Sequence, residues 1–139
     1  MSIAVPPPVP TGVLDLAALR ERAAWLLRPL DDDDPAVTFT ADAVTPPTLM
    51  VGWDEPWLQP DGMCRFTARL LIIAVAGRLV PETDIATLEQ LVGYTANRLQ
   101  ADRDYQWGLP TVGAPRILLI AKLNYLGARV VYQPRVVLT

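Results

Sequence analysis

The sequence predicts an α+β fold: an antiparallel sheet of about four strands with two main helices packed on it, plus an extended N-terminal arm. Three observations carry this. Apolar residues recur at helical spacing in two segments, one opening at Leu16 and one at Pro81. Apolar runs bounded by Gly and Pro lie between and after them, as strands do. Short loops join successive strands, which implies antiparallel pairing with the helices on one sheet face. At 139 residues the chain is one domain, large enough to bury roughly two-thirds of its unfolded surface. Residues 1–12 form the proline-rich arm and 13–139 the domain.

The arm, MSIAVPPPVPTG, carries a proline run that cannot pack as a helix and reads as extended chain. It lacks the basic start and long apolar stretch of a signal peptide. The first helix follows in LDLAALRERAAWLLRPL. Leu16, Leu19, Ala23, Leu26 and Leu27 form its stripe, Arg20, Glu21 and Arg22 lie largely off it, and Asp15 is placed to cap it. Pro29 and the run Asp31 to Asp34 end it. A loop with a short extended piece at Val37 to Thr40 leads to a strand at Leu49 to Trp53, and DEPWLQPDG reads as the turn-rich connection to the next.

That next strand, bounded by Gly62 and Gly77, holds the longest apolar run, Leu70 to Ala76. A spanning helix needs about 20 such residues, so this is a strand and not a membrane crossing. Cys64, Phe66, Ala68, Leu70, Ile72 and Ala74 share one apolar face. Arg65, Thr67 and Arg69 begin the other, which turns apolar at Leu71, Ile73 and Val75. A strand apolar on both faces must be covered on both, by a helix of the same chain or by another subunit.

The second helix opens at Pro81 with Glu82 and Asp84 in its first turn, where the helix dipole favours acids. Ile85, Leu88, Val92, Ala96 and Leu99 form its stripe to about Ala101. After the loop DRDYQWGLPTVGAP, the third strand is RILLIAKL, NYLG reads as a connection, and ARVVYQPRVVL is the fourth strand. In it Ala128, Val130, Tyr132, Val136 and Leu138 oppose Arg129, Gln133 and Arg135. Pro134 cannot donate to a ladder, so this strand is expected at an edge or bulged there.

The chain is poor in catalytic chemistry. It has no histidine, its one serine is Ser2, and Cys64 is its one cysteine. Ser-His-Asp and Cys-His arrangements and histidine metal sites are thereby excluded. No phosphate-binding glycine loop occurs. Asp31 to Asp34 lack the alternating ligands and central glycine of a calcium loop and read as a solvated connector. Asp54 and Glu55 adjoin, and neighbours on a strand diverge instead of forming a working carboxylate pair. Cys64 reads as a small buried hydrophobe. No catalytic, cofactor or metal residue is assigned. A net charge of −3 argues against nucleic-acid recognition. Arg65, Arg69, Arg129 and Arg135, on non-core faces, either serve solubility or pair with acidic loops of a neighbour such as Asp31 to Asp34.

With chemistry set aside, the layout is informative. The opening helix LDLAALRERAAWLL, the strand TLMVGWDEPW and the C-x-F…LLIIAVAGR strand come first. The helix PETDIATLEQLVGYTANRL and the closing GAPRILLIAKLNYLGARVVY, with YLGA near the last strand, follow. Together, from Leu14 onward, they resemble the tail terminator proteins of long-tailed (siphovirus) phages, a head-to-tail joining family. The arm and the aspartate run lie outside the resemblance. It implies a structural, non-enzymatic protein of the virion without cofactor: a homo-oligomeric, six-membered ring at the head-proximal end of the tail. Such a ring caps the tail tube protein, stops tube polymerisation and meets the head–tail connector protein. DNA passes through the lumen without sequence recognition, and no membrane is involved.

A ring interface is head to tail and needs two different patches on each subunit. The candidates are the Leu71, Ile73, Val75 face, with Arg65 and Arg69 beside it, and the loops holding Trp53, Trp57 and Trp107. Three alternatives stand beside this reading: a head-side neck or head-completion protein, a small-molecule enzyme using Asp54, Glu55 or the aspartate run, and an acidic immunity-type module meeting a cationic partner.

Overall fold

A computed structural model describes residues 16–39, 45–62, 65–79 and 81–137. The proline arm, the Asp15 cap, Cys64 and Leu138 lie outside the described residues. The element order is α1 (Leu16–Leu27), β1 (Ala36–Thr38), β2 (Thr48–Pro60), β3 (Arg65–Gly77), α2 (Pro81–Gln100), β4 (Thr111–Val112), β5 (Arg116–Ile120), β6 (Leu123–Tyr132) and β7 (Arg135–Val137). The fold is α+β with two helices. Its sheet is larger than the expected four strands and is mixed, because β1 pairs parallel to β2 while the other pairings are antiparallel.

The sheet runs β1-β2-β3-β6-β4, with β5 also on β6 and β7 also on β3. Its register explains the core. Leu49 faces Ala74 and Ala128, Val51 faces Ile72 and Val130, and Trp53 faces Leu70 and Tyr132, each row crossing three strands. These rows join Leu19, Ala23 and Leu27 of α1 and Leu88, Leu91 and Leu99 of α2 in one cluster. Both helices therefore cover one face of the sheet. Period-two alternation in β3 produces this: Ala68, Leu70, Ile72 and Ala74 are all fully buried on the helix side.

The α2 stripe is corrected at its first position. Ile85 is exposed, and the buried face runs through Leu88, Leu91, Thr95 and Leu99. Thr95 can be buried in a helix because its hydroxyl donates to the Leu91 carbonyl at 2.9 Å. Tyr94 donates to the Leu27 carbonyl at 2.9 Å, so α2 satisfies an orphan acceptor at the end of α1.

Three strand boundaries differ from expectation. β2 continues through DEPWLQP, with an irregularity between Trp53 and Leu58 that absorbs Pro56, while Pro60 stands in register opposite Phe66 at the strand end. The tight turn of the last hairpin is Ala121–Lys122, and NYLG lies inside β6. Both turn residues have positive φ, 50° and 68°, as a type I′ hairpin requires. Neither is a glycine or asparagine, so the turn left no signal. Replacing Ala121–Lys122 by Asn–Gly is expected to stabilise the chain by roughly 1–2 kcal/mol, read as a higher denaturant midpoint.

Pro134 makes no bulge, and the strand beyond it, β7, pairs with β3 alone, so this part of the chain is at a sheet edge as expected. Leu70 faces Tyr132 and Thr67 faces Arg135 in one unbroken register. The Ala68 amide still donates to the Pro134 carbonyl at 2.9 Å, so only the bond the proline nitrogen cannot give is lost. Tyr132 is fully buried, and its hydroxyl has no partner among the described residues. Burial pushes this phenol up to about 12. Tyr132→Phe is expected to leave stability unchanged or raise it by up to about 1 kcal/mol, checked by thermal unfolding.

Candidate interaction surface

The face of the sheet turned away from the helices was expected to need a cover, and the chain supplies part of it. The β5–β6 hairpin packs Leu118, Ile120 and Tyr125 against Val75, with Met50 and Ile73 alongside. Val75 is completely buried by its own chain and cannot meet a neighbour; Leu71 is 9% exposed and Ile73 half-buried. The part of the cover that the chain itself supplies is thus a hairpin and not a helix. Close approach makes it possible: a Cβ on Gly127 would stand 2.6 Å from both the Ala74 carbonyl oxygen and Leu118 Cδ1.

The arginines on this face are engaged within the chain. Asp54, on the irregular part of β2, pairs with Arg69 of β3 at 2.8 Å and with Arg129 of β6. Arg69 also reaches the Glu55 carbonyl at 3.2 Å. By register these groups flank Leu71. Arg135 pairs with Asp61 at 3.1 Å, leaving Arg65 exposed. Arg69, Arg129 and Arg135 thus have acidic partners within the chain, Asp54 and Asp61. Asp54 is a tie across three strands. Asp54→Ala is expected to cost about 1–2 kcal/mol and to make unfolding less salt-sensitive, measured by urea titration at low and high salt.

The tryptophans separate. Trp57 is exposed and meets Trp53 edge-on at 6.3 Å; Trp53 is half-buried against the core, so Trp57 is the ring available on the surface. Trp107 is 2% exposed and belongs to the core. Its Nε1 donates to Asp102 at 3.0 Å. Asp102 also receives Arg22 through two bonds of 2.8 Å. Arg22, expected off the helix stripe, is 3% exposed and ties α1 to the loop after α2. Burial works to raise the Asp102 carboxyl, but the bonds from Arg22, Trp107 and the Asp104 amide outweigh it and hold it below its ordinary value.

The aspartate run is an ordered turn. The Asp34 carboxylate accepts from the Leu30 and Asp31 amides and pairs with Arg98 at 3.3 Å. Asp31, Asp32 and Asp33 face solvent. Among the described residues no group of three or more His, Cys, Asp or Glu is placed to hold a metal, and no helix is long and apolar enough to cross a membrane.

Among the described residues further apolar surfaces are exposed, and two of them left no signal in the sequence. One is the β5–β6 hairpin, where Ile117 is 62% and Leu119 72% exposed. The other is a cleft of about 340 Å³ at the opposite sheet edge, bounded by Trp25, Pro29, Val37 and Phe39. The hairpin was legible only as a strand, because alternation assigns a face but does not say whether anything lies over it. Compared with known proteins, the chain matches no family model and no curated protein.

Proposed function

We propose that this chain is a structural subunit of a phage tail, a tail terminator. Copies form a ring that caps the head-proximal end of the tail tube, stops its growth and joins the tail to the head connector. The layout resemblance leads to this reading. The observation that supports it best is the β5–β6 hairpin, which carries Ile117 and Leu119 bare at the sheet edge. Two such residues on an edge strand are an aggregation hazard in a monomer and a natural contact in an assembly. The two helices and the Asp54 tie make the body behind that edge rigid, as a ring subunit needs.

The test is light scattering with negative-stain imaging, on the purified chain alone and with tail-tube protein. Rings, alone or on addition of tube protein, are the expected result. A strict monomer indifferent to tube protein overturns the reading. Co-purification with a head protein in place of tube protein moves the subunit to the head side of the joint.

A further inference from the structure

Charge is distributed unevenly between the β5–β6 hairpin and the α1–β1 cleft. No acidic residue follows Asp104 in the sequence. The β5–β6 hairpin, with Ile117 and Leu119 on one face of β5, therefore carries cations alone, Arg116 at the start of β5 on the Leu118 face and Lys122 in the turn, and neither has an ion pair among the described residues. At the opposite edge of the same sheet, the cleft between α1 and β1 is apolar inside, with Trp25, Val37 and Phe39, and acidic at its rim. Glu21 lines it, and Asp31, Asp32 and Asp33 stand exposed in the turn that joins its two walls. The two arginines there lie on aromatic rings, Arg28 over Trp25 at 4.1 Å and Arg20 over Phe39 at 5.1 Å.

A basic apolar ridge and an acidic apolar cleft thus sit on one molecule at opposite edges, β5 and β1. Neither can be covered by the same surface on a second copy, because like charges would meet. Each can be covered by the other, which is the definition of a head-to-tail contact. We infer that the β5–β6 hairpin of one copy docks into the α1–β1 cleft of the next. Ile117 and Leu119 enter the cleft, and Arg116 and Lys122 meet Glu21 and the Asp31–Asp33 turn. This deepens the ring reading and names its two patches, in place of the Leu71, Ile73, Val75 face, where the hairpin covers Val75.

The experiment uses two full-length variants whose substitutions are all at exposed positions. Arg116→Glu/Leu119→Asp/Lys122→Glu spoils the ridge. Asp32→Lys/Asp33→Lys/Phe39→Lys spoils the cleft. Circular dichroism checks that each folds, and Leu119→Asp alone serves if the triple variant does not. Sedimentation equilibrium is expected to show the wild type self-associating, more weakly as salt rises, and each variant at least about tenfold weaker. Mixed one to one, the variants are expected to form a dimer and stop, since each retains the patch the other needs. Wild-type association that both variants keep, or a mixture that stays monomeric, overturns the inference, as does a wild type that never associates. Failure of the ring reading looks different. Ridge-and-cleft association that ignores tube protein leaves the contact standing and removes the tail assignment. Rings formed by the variants retain the tail assignment and remove the contact.

Discussion

Asp102→Asn is expected to lower the unfolding free energy by about 3–5 kcal/mol, enough to threaten a domain of ordinary stability. The substitution keeps the shape of the side chain and removes its charge. Arg22 would then be a cation 3% exposed, facing an amide whose nitrogen cannot accept its bidentate fork. Arg22→Ala leaves the mirror problem, a buried carboxylate with Trp107 as its remaining side-chain donor. Arg22→Met/Asp102→Leu removes both charges and is expected to be much milder than either single change. The pH dependence has a definite sign. The carboxyl is held below its ordinary value in the folded chain, so its contribution is complete above the unfolded value of roughly 4. That contribution is lost as pH falls through the folded value. Urea midpoints compared at pH 7 and pH 3 should therefore fall more steeply for the wild type than for Arg22→Met/Asp102→Leu. A parallel fall would show that the pair does not govern acid stability.

This pair also marks the boundary of what sequence could disclose. β3 was legible because period-two alternation over Ala68, Leu70, Ile72 and Ala74 has one explanation, burial against helices, and all four are buried. Both helices were legible from apolar spacing. Arg22 was not, because a charged residue beside a stripe is ordinarily solvated, and the acid that brings it inside stands 80 positions away. Trp107 failed for the same reason: an aromatic in a loop reads as surface until Asp102 gives its nitrogen a buried partner. Local chemistry misled where residues serve two ends. The prolines of DEPWLQP read as a turn, yet β2 absorbs Pro56 where its pairing shifts and ends on Pro60. Gly127 read as a connector, yet it stands in the middle of a strand. The arginines of the second face were correctly placed on their strands. Their partners were missed, because Asp54 faces them only through the sheet register. For the interaction surfaces, RILLIAKL was legible as a strand, and only the topology shows that β5 is an edge on which Ile117 and Leu119 stand exposed among the described residues.

Gly127→Ala is expected to cost about 2–4 kcal/mol, and Gly52→Ala close to nothing. Both glycines lie inside strands of one sheet, so backbone entropy and β propensity act on them alike and cancel in the comparison. What differs is space. The new methyl at Gly127 would stand 2.6 Å from a backbone oxygen of β3 and 2.6 Å from Leu118, whereas at Gly52 it meets nothing within 4 Å. The carbonyl of Ala74 cannot give without shifting the central strand, and Leu118 cannot give without uncovering Val75. The relief available is for β5 to lift away from β3. The consequence reaches beyond stability. If β5 lifts, Ile117 and Leu119 lose their fixed position at the sheet edge, and Gly127→Ala should weaken self-association even under conditions where the chain remains folded. Amide exchange would locate the loosening. Faster exchange confined to 116–127, with β2 and β3 still protected, is the expected pattern. Uniform acceleration over the whole sheet would instead mean that the hairpin is an inseparable part of the core.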